Sequence, residues 1–414
     1  MAIIKPFKAL RPTREMAGQI AAPPYDVMDA AEARRMADGD PYTFLHISRP
    51  EIDLPDDIDL YSEQVYLRGR ENLAGFMARG LMTQDEEEYY YVYRQVMGEL
   101  SQTGLVACAA VDDYQSGLIR KHELTRADKE EDRVRHIDYL DANDEPVFFT
   151  YRFNSLIADF VEKAISGEPE YDFSTPDGVC HTFWIIRDRQ TIDRLTALFA
   201  SIPSVYVADG HHRSAAASRV RDLRAASNPG HSGREEYNYF LAVIFPDSEM
   251  HIMPYNRAVA DLNHLTVAEF MARVAERFEV TPVAHAVEPA NRHQFGMYLA
   301  GKWYELAARE GSFDATDLVS SLDVSILQDN LLNSVLGIRN PRTDHRIHFV
   351  GGIRGVIELE RLVNSGDYEV AFSLYPTSIG DLMELSDADK IMPPKSTWFE
   401  PKLRSGLFVH LLDD

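Results

Sequence analysis

The sequence has little cysteine, a deficit of positive charge and no long apolar run. Cys108 and Cys180 are the two cysteines in 414 residues, too few for a disulfide framework, and they suit a reducing compartment. No CxxC pair occurs, so a thiolate zinc site is not expected. Lysine and arginine number 42 against 66 aspartates and glutamates, giving a net charge of −24. Such a surface repels phosphate backbones and anionic lipids, so nucleic acids and membranes are poor partners.

The sequence also lacks the segments and motifs that mark secreted proteins, membrane proteins and two common enzyme classes. The stretch MAIIKPFKAL contains Lys5 and Pro6 and lacks a long apolar core, so no secretory signal is predicted. No apolar run reaches the roughly 18 residues that a membrane span needs. Neither GxxxxGK[ST] nor GxSxG occurs, which argues against a P-loop enzyme and against the commonest serine-hydrolase fold. We therefore predict a cytoplasmic protein.

What the sequence does contain is an alternation of helical and strand patterns. Residues 61–80 and 190–200 are typical of helices, and residues 205–208 (VYVA) of a short buried strand. Residues 238–246 and 250–259 predict two strands paired with each other. This alternation predicts a mixed α/β fold.

The pattern changes near residue 260. Residues 265–278 and 314–336 are predicted to be helical, and strands then alternate with helices to the C-terminus. We therefore predict two regions, 1–260 and 261–414, the second being an α/β unit.

The sharpest local feature is the stretch Asp209-Gly210-His211-His212-Arg213, between the predicted strand and an alanine-rich helix. Asp209 is a residue type that caps helices, and Gly210 lets the chain turn and a ligand approach the backbone. Free N–H groups and the helix dipole favour an anion at such a terminus, and Arg213 adds a planar fork suited to phosphate. A capped helix start with incidental charges is the alternative interpretation.

The helical phase predicts where the two histidines point. Ala216, Val220 and Leu223 form an apolar stripe, and His212 precedes Ala216 by four residues. His212 is therefore predicted to point into the core, where it could be an ordinary buried histidine, and His211 to point toward the turn.

A second candidate is the stretch Lys121-His122-Glu123-Leu124-Thr125-Arg126, followed by Asp132-Arg133. A histidine beside a glutamate can supply a base with its orienting partner, or metal ligands. The spacing is not the HExxH of a zinc protease, because position 126 is arginine. A solvated charged face is the plainer interpretation of this segment.

Two further stretches give weaker signals. Lys395, Ser396 and Thr397 lie in PPKSTWFEPK, whose lysines, hydroxyls and aromatic residues could contact a nucleotide, although a surface strand is equally consistent. The stretch VGGIRG at 350–355 follows a predicted strand but lacks the first glycine of GxGxxG, so a plain glycine turn is favoured over a dinucleotide site.

Five stretches together resemble the domain-of-unknown-function family 1015 of bacteria and archaea. They follow one another across nearly the whole chain as PFKALRP, APPYDV, KHELT with DR, ADGHHR and MPPKSTWFEPK. The DGHHR turn also resembles that of free-serine kinases, whose fold is similar to the partition protein ParB and to sulfiredoxin. The resemblance implies a ParB/sulfiredoxin-like nucleotide-binding region at 1–260, with the C-terminal region completing the site.

The resemblance further implies a kinase that transfers phosphate from ATP or ADP to the hydroxyl of free L-serine or a similar amino acid, with Mg²⁺. Expected catalytic residues are Glu123, Asp209 and His211, Glu123 being the favoured base and Asp209 a possible magnesium ligand. Expected contacts to the nucleotide and the amino acid are divided as follows: Gly210, His212, Arg213, Lys395, Ser396 and Thr397 for the nucleotide, and His122, Arg126 and Arg133 for the amino acid.

Two other functions stay open at this point. A nucleotide-binding regulatory protein would use the same turn without transferring phosphate, although the charge of −24 argues against a form that clamps DNA. A metal-dependent hydrolase would use His122, Glu123, Asp209, His211 and His212 as ligands for zinc or manganese. The oligomeric state is not predicted.

Overall fold

The computed structural model describes residues 2–413 and has mixed α and β secondary structure, which confirms the predicted class. The chain forms two compact units, residues 2–250 with 401–413, and residues 251–400. The sequence predicts one boundary near 260. In the structure the C-terminal residues return to the first unit, because His410 pairs with Asn143 in a short antiparallel sheet.

The first unit is built on one large mixed sheet with helices around it. Its strands are β1 (Ile4–Lys5), β2 (Leu10–Pro12), β3 (Met82–Gln84), β4 (Tyr90–Met97), β5 (Leu100–Ala110), β6 (Ile119–Arg120), β7 (Ala142–Asn143), β8 (Val147–Tyr151), β9 (Tyr171–Ser174), β10 (Val179–Ile186), β11 (Val205–Asp209), β12 (Tyr239–Pro246) and, near the C-terminus, β21 (His410–Leu411). Its helices are α1 (Ala17–Ile20), α2 (Ala30–Ala37), α3 (Leu45–Ser48), α4 (Glu63–Ala78), α5 (Val111–Ser116), α6 (Ala127–Leu140), α7 (Ser155–Ile165), α8 (Arg189–Phe199) and α9 (His211–Ser227).

The strand order of the large sheet is β6-β11-β8-β12-β5-β4-β10-β9, and β1 pairs with β5. Most neighbours are antiparallel, but β11 runs parallel to β6 and β12 runs parallel to β8. The middle strands are apolar over long runs and buried on both faces, as in the pattern of β5 from Gln102 to Ala110. The register of β11 against β8 shifts between Val207 and Asp209, so β11 ends irregularly at its carboxyl end.

Helices α6 and α9 pack against each other. Helix α6 follows the KHELT stretch, and α9 begins within the DGHHR stretch. Val134 and Ile137 of α6 share a buried apolar cluster with Ala216 and Val220 of α9. The interpretation of a solvated charged face is wrong for the inner side of α6, which is buried because apolar residues recur at helical spacing between its charges. The packing fixes the start of α6 relative to the start of α9.

The second unit has a sheet of its own, in the order β15-β17-β16-β19-β14-β18. Its strands are β13 (Ile252–Met253), β14 (Tyr255–Val259), β15 (Phe278–Val283), β16 (Gln294–Leu299), β17 (Lys302–Ala308), β18 (Ile347–Gly351), β19 (Val370–Leu374) and β20 (Trp398–Phe399). Its helices are α10 (Val267–Arg277), α11 (Asp323–Leu327), α12 (Gly355–Asn364) and α13 (Ile379–Asp387). The predicted alternation after residue 347 is confirmed.

Two sequence-based predictions about this region are wrong. The segments 238–246 and 250–259 do not pair with each other: β12 pairs with β5 and β8, whereas β14 pairs with β18 and β19. The predicted helix over 314–336 is limited to α11 and a following π-helical turn at Gln328–Asn333. Asp314 and Asp317 accept hydrogen bonds from the backbone N–H groups of Thr316, Val319 and Ser320, and such local bonds compete with a helix.

Candidate functional site

The parallel pairing of β6 and β11 brings the two strongest motifs to one edge of the large sheet. Val205 lies opposite Ile119, and Tyr206 opposite Arg120. Because parallel strands end at the same edge, the segment after β6 and the turn after β11 emerge side by side. His122 and His211 accordingly meet with their Nε2 atoms 3.4 Å apart, and the backbone N–H of Arg126 donates to Nε2 of His212 over 3.0 Å. The structure therefore joins the KHELT and DGHHR segments.

Gly210 forms the sharp turn between β11 and α9. Its φ of +93° lies in the left-handed region that favours glycine, and it is the N-cap residue of the helix. A Cβ atom there would lie 3.1 Å from the guanidinium carbon of Arg213. The expectation that Asp209 caps α9 is wrong: Asp209 is the last residue of β11, and its Oδ1 accepts from the N–H of Gly210. The N–H groups of the first helical turn thus keep no intrahelical partner.

The predicted orientations of the two histidines are reversed. His211 is buried and packs edge-to-face on His122 at a ring distance of 4.4 Å, whereas His212 is only partly buried. The first two turns of α9 are buried on nearly all sides, so the spacing of their apolar residues does not indicate which way His212 points. Leu223, at the far end of the predicted apolar stripe, is 55% exposed. Burial lowers the pKa of His122 to about 4 and that of His211 well below its usual value. Both rings are therefore neutral near pH 7.

Glu123 stands beside the two rings. One carboxylate oxygen of Glu123 and one ring nitrogen each of His122 and His211 lie within 4.8 Å of one another. Glu123 is half-buried while the histidines are buried. The three side chains form what we call the His-Glu-His cluster, at the end of β6 and the start of α9. The solvated-face interpretation is wrong for His122, which is 2% exposed.

Asp209 and Arg213 belong to a set of alternating charges, in which Arg213 is buried and Asp209 half-buried. Nζ of Lys402 lies 2.9 Å from Oδ2 of Asp209, and a guanidinium nitrogen of Arg213 lies 3.9 Å from Oδ1 of Asp209 and 3.8 Å from Asp26. Burial opposes the charge of Asp209, but Lys402 and Arg213 outweigh it and hold its pKa well below the usual range. Asp209 is therefore a weak base. With two cations already beside it, this carboxylate does not fit a directly bound Mg²⁺ ion.

Arg213 itself is deeply buried. Its guanidinium donates to the carbonyl of Pro146, and within residues 2–413 its Nε has no hydrogen-bond partner. Burial disfavours the charge, yet Asp26 and Asp209 outweigh it and raise the pKa of Arg213 further above its usual value. The cation is therefore permanent, with one donor left over at the corner between strand and helix.

The two arginines expected to hold a substrate carboxylate differ in their surroundings. Arg126 is exposed and forms a two-pronged pair with Asp128. Arg133 is buried, lies 4.0 Å above the ring of Tyr25, and pairs with Asp132. In the part of the chain that the structure describes, Nη1 of Arg133 lacks a hydrogen-bond partner.

Glu145, in the segment before β8, also belongs to the candidate site, and no motif in the sequence marks it. Its Oε1 accepts from the N–H of Tyr25 and from Oγ of Ser405, and its Oε2 finds no partner among the described residues. Burial raises the pKa of Glu145 to about 7. A cavity lined by Arg133, Glu145 and Arg213, among others, lies here. Tyr25 and Asp26 lie in the stretch APPYDV, and Lys402 lies in FEPK. Because both stretches belong to the family resemblance, these three residues could have been chosen as site candidates from the sequence.

Lys395, Ser396 and Thr397 belong to the second unit. Lys395 is exposed with a φ of +60°, and its carbonyl accepts from Arg257 over 2.9 Å. Oγ of Ser396 donates to the carbonyl of Pro393, and the carbonyl of Ser396 accepts from Thr377. Thr397 is half-buried. These contacts fix the segment locally, and its expected role over a nucleotide stays a prediction.

The chain belongs to the family described as protein of unknown function DUF1015, whose model matches residues 4–325. No curated protein matches it. Across residues 2–413 there is no helix with the length and apolar character to cross a membrane.

Among solved structures, the chain is similar to a mutant of free serine kinase in complex with AMP, at 14% identity over 74% of this chain and 92% of that chain, with a TM-score of 0.36. A second free serine kinase mutant, in complex with ADP, is 16% identical over 74% and 92%, with a TM-score of 0.35. SbnI from Staphylococcus aureus, truncated at its C-terminus, is 11% identical over 74% and 87%, with a TM-score of 0.37. These likenesses are too remote to support a shared activity.

Proposed function

We propose that this member of the DUF1015 family is a small-molecule kinase. It binds the phosphates of ATP or ADP at the N-terminus of α9 and transfers one phosphate to the hydroxyl of free L-serine or a similar amino acid. The observation that carries the proposal is the meeting of the 121–126 and 209–213 segments, because it sets a carboxylate beside a helix terminus suited to phosphate.

The phosphates are held by the backbone and by fixed positive charge. The first-turn N–H groups of α9 point out of the helix, and Gly210 leaves room for close approach. Arg213 keeps an unpartnered Nε within the described part of the chain and remains charged at every physiological pH. His212, partly buried at the same turn, adds a further polar contact.

Glu123 is the general base of the proposed reaction. It accepts the proton of the amino-acid hydroxyl as that oxygen bonds to the terminal phosphorus, while the bond from phosphorus to the bridging oxygen breaks and ADP or AMP leaves. Asp209 is unsuited to this task because Lys402 stabilises its ionised form. Asp209 instead holds Lys402 and Arg213 in position, and neutral His211 orients the carboxylate of Glu123.

The amino acid binds on the side of Arg133. Arg133 is favoured over Arg126 as the anchor for the substrate carboxylate, because Asp128 already occupies the fork of Arg126 whereas Nη1 of Arg133 is unpartnered within residues 2–413. His122, whose ring meets that of His211, is the second residue that we assign to the amino acid. An arginine fork recognises a carboxylate through charge-assisted hydrogen bonds, which gives direction as well as affinity.

The direct experiment is a panel of free amino acids incubated with ATP or ADP and Mg²⁺, with mass spectrometry of the products. We expect a phosphorylated hydroxy amino acid, its formation lost in Glu123→Gln and strongly reduced in Arg213→Lys. Arg354→Ala, which removes an exposed arginine of the second unit, is the matched control and should retain turnover. Full turnover in Glu123→Gln would refute the assigned base. Nucleotide binding without any product would instead favour the regulatory alternative.

A further inference from the structure

We infer that the His-Glu-His cluster is a binding site for a divalent transition metal such as Zn²⁺, with Nε2 of His122, Nε2 of His211 and a carboxylate oxygen of Glu123 as its three protein ligands. This site is separate from the magnesium that accompanies a nucleotide, and metal binding there does not depend on the kinase proposal.

The distance between the two imidazoles supports the site. A tetrahedral zinc ion with bonds of about 2.0–2.1 Å to nitrogen holds two such nitrogens about 3.3–3.4 Å apart. The two Nε2 atoms are 3.4 Å apart. That separation is long for a hydrogen bond between nitrogens. The pair is thus spaced for a shared ion.

The carboxylate is within reach of the same position. A carboxylate oxygen of Glu123 and one nitrogen of each ring lie within 4.8 Å of one another, whereas tetrahedral spacing is about 3.3–3.4 Å. Glu123 is half-buried, on a short connecting segment between β6 and α6. The buried rings are already in place, so a shift of the carboxylate alone completes the ligand set.

The contact between the two rings leaves their facing nitrogens poorly satisfied, because the Nε2 atoms are 3.4 Å apart and both residues are buried. Two buried imidazoles with one long contact between them are unusual, because buried polar groups are normally satisfied. A metal ion bound to both rings would satisfy the Nε2 atoms, and neutral imidazole is the form that binds metals.

The donor set determines the metal class. Two imidazoles and a carboxylate suit zinc and similar transition metals, whereas magnesium prefers oxygen ligands. Three protein ligands leave a fourth position open for water or an anion, and the N-terminus of α9 favours an anion there. With metal bound, Glu123 is a ligand and cannot act as a base, so the metal inhibits phosphate transfer; this last consequence rests on the proposed function.

The test is a titration of the metal-stripped full chain with Co²⁺, followed by displacement with Zn²⁺. We expect the intense visible absorption of tetrahedral cobalt, lost in His211→Gln and His122→Gln and weakened in Glu123→Gln. Each histidine variant should lose at least about 100-fold in affinity, because even partners of metal ligands cost 10–100-fold. His348→Gln, which changes an exposed histidine of the second unit, is the matched control. Circular dichroism checks that each variant folds. If a histidine variant does not fold, Glu123→Gln still tests the site, because Glu123 is only half-buried.

Cobalt spectra and affinities that are the same in wild type, Glu123→Gln and His348→Gln would overturn the metal site. Tetrahedral cobalt binding, with no turnover when the cobalt- and zinc-free protein is assayed with nucleotide and Mg²⁺, would sustain the metal site and refute the kinase. Turnover in a protein that gives no tetrahedral cobalt spectrum would support the kinase and overturn the metal site.

Discussion

Two turns in this protein have the same plan of strand, glycine, arginine and helix, yet only one has the surroundings of a functional site. At the end of β11, Gly210 leads into α9 and Arg213 is buried among carboxylates. At the end of β18, Gly351 and Gly352 lead toward α12, but Arg354 is 63% exposed in its side chain and its ion-pair partner Glu358 is 3.9 Å away.

The glycines of the two turns serve different purposes. At Gly352 an added Cβ would lie 2.7 Å from the carbonyl oxygen of Pro254, and at Gly351 it would lie 2.7 Å from the ring of Trp398. Those glycines allow close packing within the second unit. Gly210 instead takes up a left-handed conformation beside its own arginine. The turn at Gly210 thus differs from the turn at Gly352 in having an unsatisfied polar atom beside it, Nε of Arg213, among the described residues.

The largest expected difference between the turns concerns their arginines. Arg213→Ala empties a buried position and removes one of the two cations beside Asp209, so we expect a loss of about 3–5 kcal/mol in the free energy of unfolding. Arg354→Ala should change it by less than about 0.5 kcal/mol, because the side chain is exposed. Urea denaturation of both variants measures the difference. Equal losses would remove the distinction between the two turns.

The second prediction concerns the pH dependence of stability, which Glu145 causes beside the first of these turns. The pKa of Glu145, about 7 in the folded protein, lies above the unfolded value of about 4.3. The folded chain therefore holds more protons between these values, and stability falls as the pH rises through this interval. Glu145→Gln removes that fall, so its stability relative to wild type should increase by up to about 3 kcal/mol from pH 4 to pH 8. If the free energy of unfolding depends on pH in the same way in wild type and Glu145→Gln, the pKa of Glu145 is not raised.

The glycines provide a sharper comparison of smaller size. Gly352→Ala forces a side chain against Pro254, and Gly210→Ala imposes a positive φ on alanine, so each should cost about 1–3 kcal/mol of stability. Nucleotide affinity, measured by titration at a temperature where both variants are folded, should fall in Gly210→Ala alone. A fall of the same size in Gly352→Ala would mean that folding, rather than the turn at α9, controls binding.

The smallest effect is expected at Arg126. Its side chain is exposed and paired with Asp128, and exposed pairs contribute about 0–1 kcal/mol. Arg126→Ala should therefore change stability little and leave the KM for the amino acid within about twofold. In Arg133→Lys, by contrast, the KM should rise because the fork is lost. If the KM rises in Arg126→Ala and not in Arg133→Lys, then Arg126 rather than Arg133 binds the substrate carboxylate.

The sequence predicts local features of the site well because glycine, charge and helix-start patterns act over a few residues. The strand 205–208, the turn at Gly210 and the helix after it are all present. The meeting of the two motifs was not predictable, because it depends on β6, a strand of two residues whose parallel pairing with β11 leaves no periodic pattern in the sequence.

Long-range pairing also explains the errors in the fold. The strands β15, β16 and β17 were not predicted, and β14 was assigned to the wrong partner, because nothing local in Tyr255–Val259 selects β18 and β19 over β12. Glu145 was missed because burial, rather than its neighbours in sequence, raises its pKa. Residues that gain their character from tertiary surroundings are those that sequence patterns identify least well.

The central claim is that the corner formed by Gly210 and Arg213 binds nucleotide phosphates, and calorimetric titration with ADP tests it most directly. We predict binding by the wild-type chain, a loss of about 10- to 100-fold in Arg213→Lys, as expected when a charged hydrogen bond worth about 1.5–3 kcal/mol is removed, and unchanged affinity in Arg354→Ala. Equal affinities in all three proteins, or no binding by the wild type, would contradict the account.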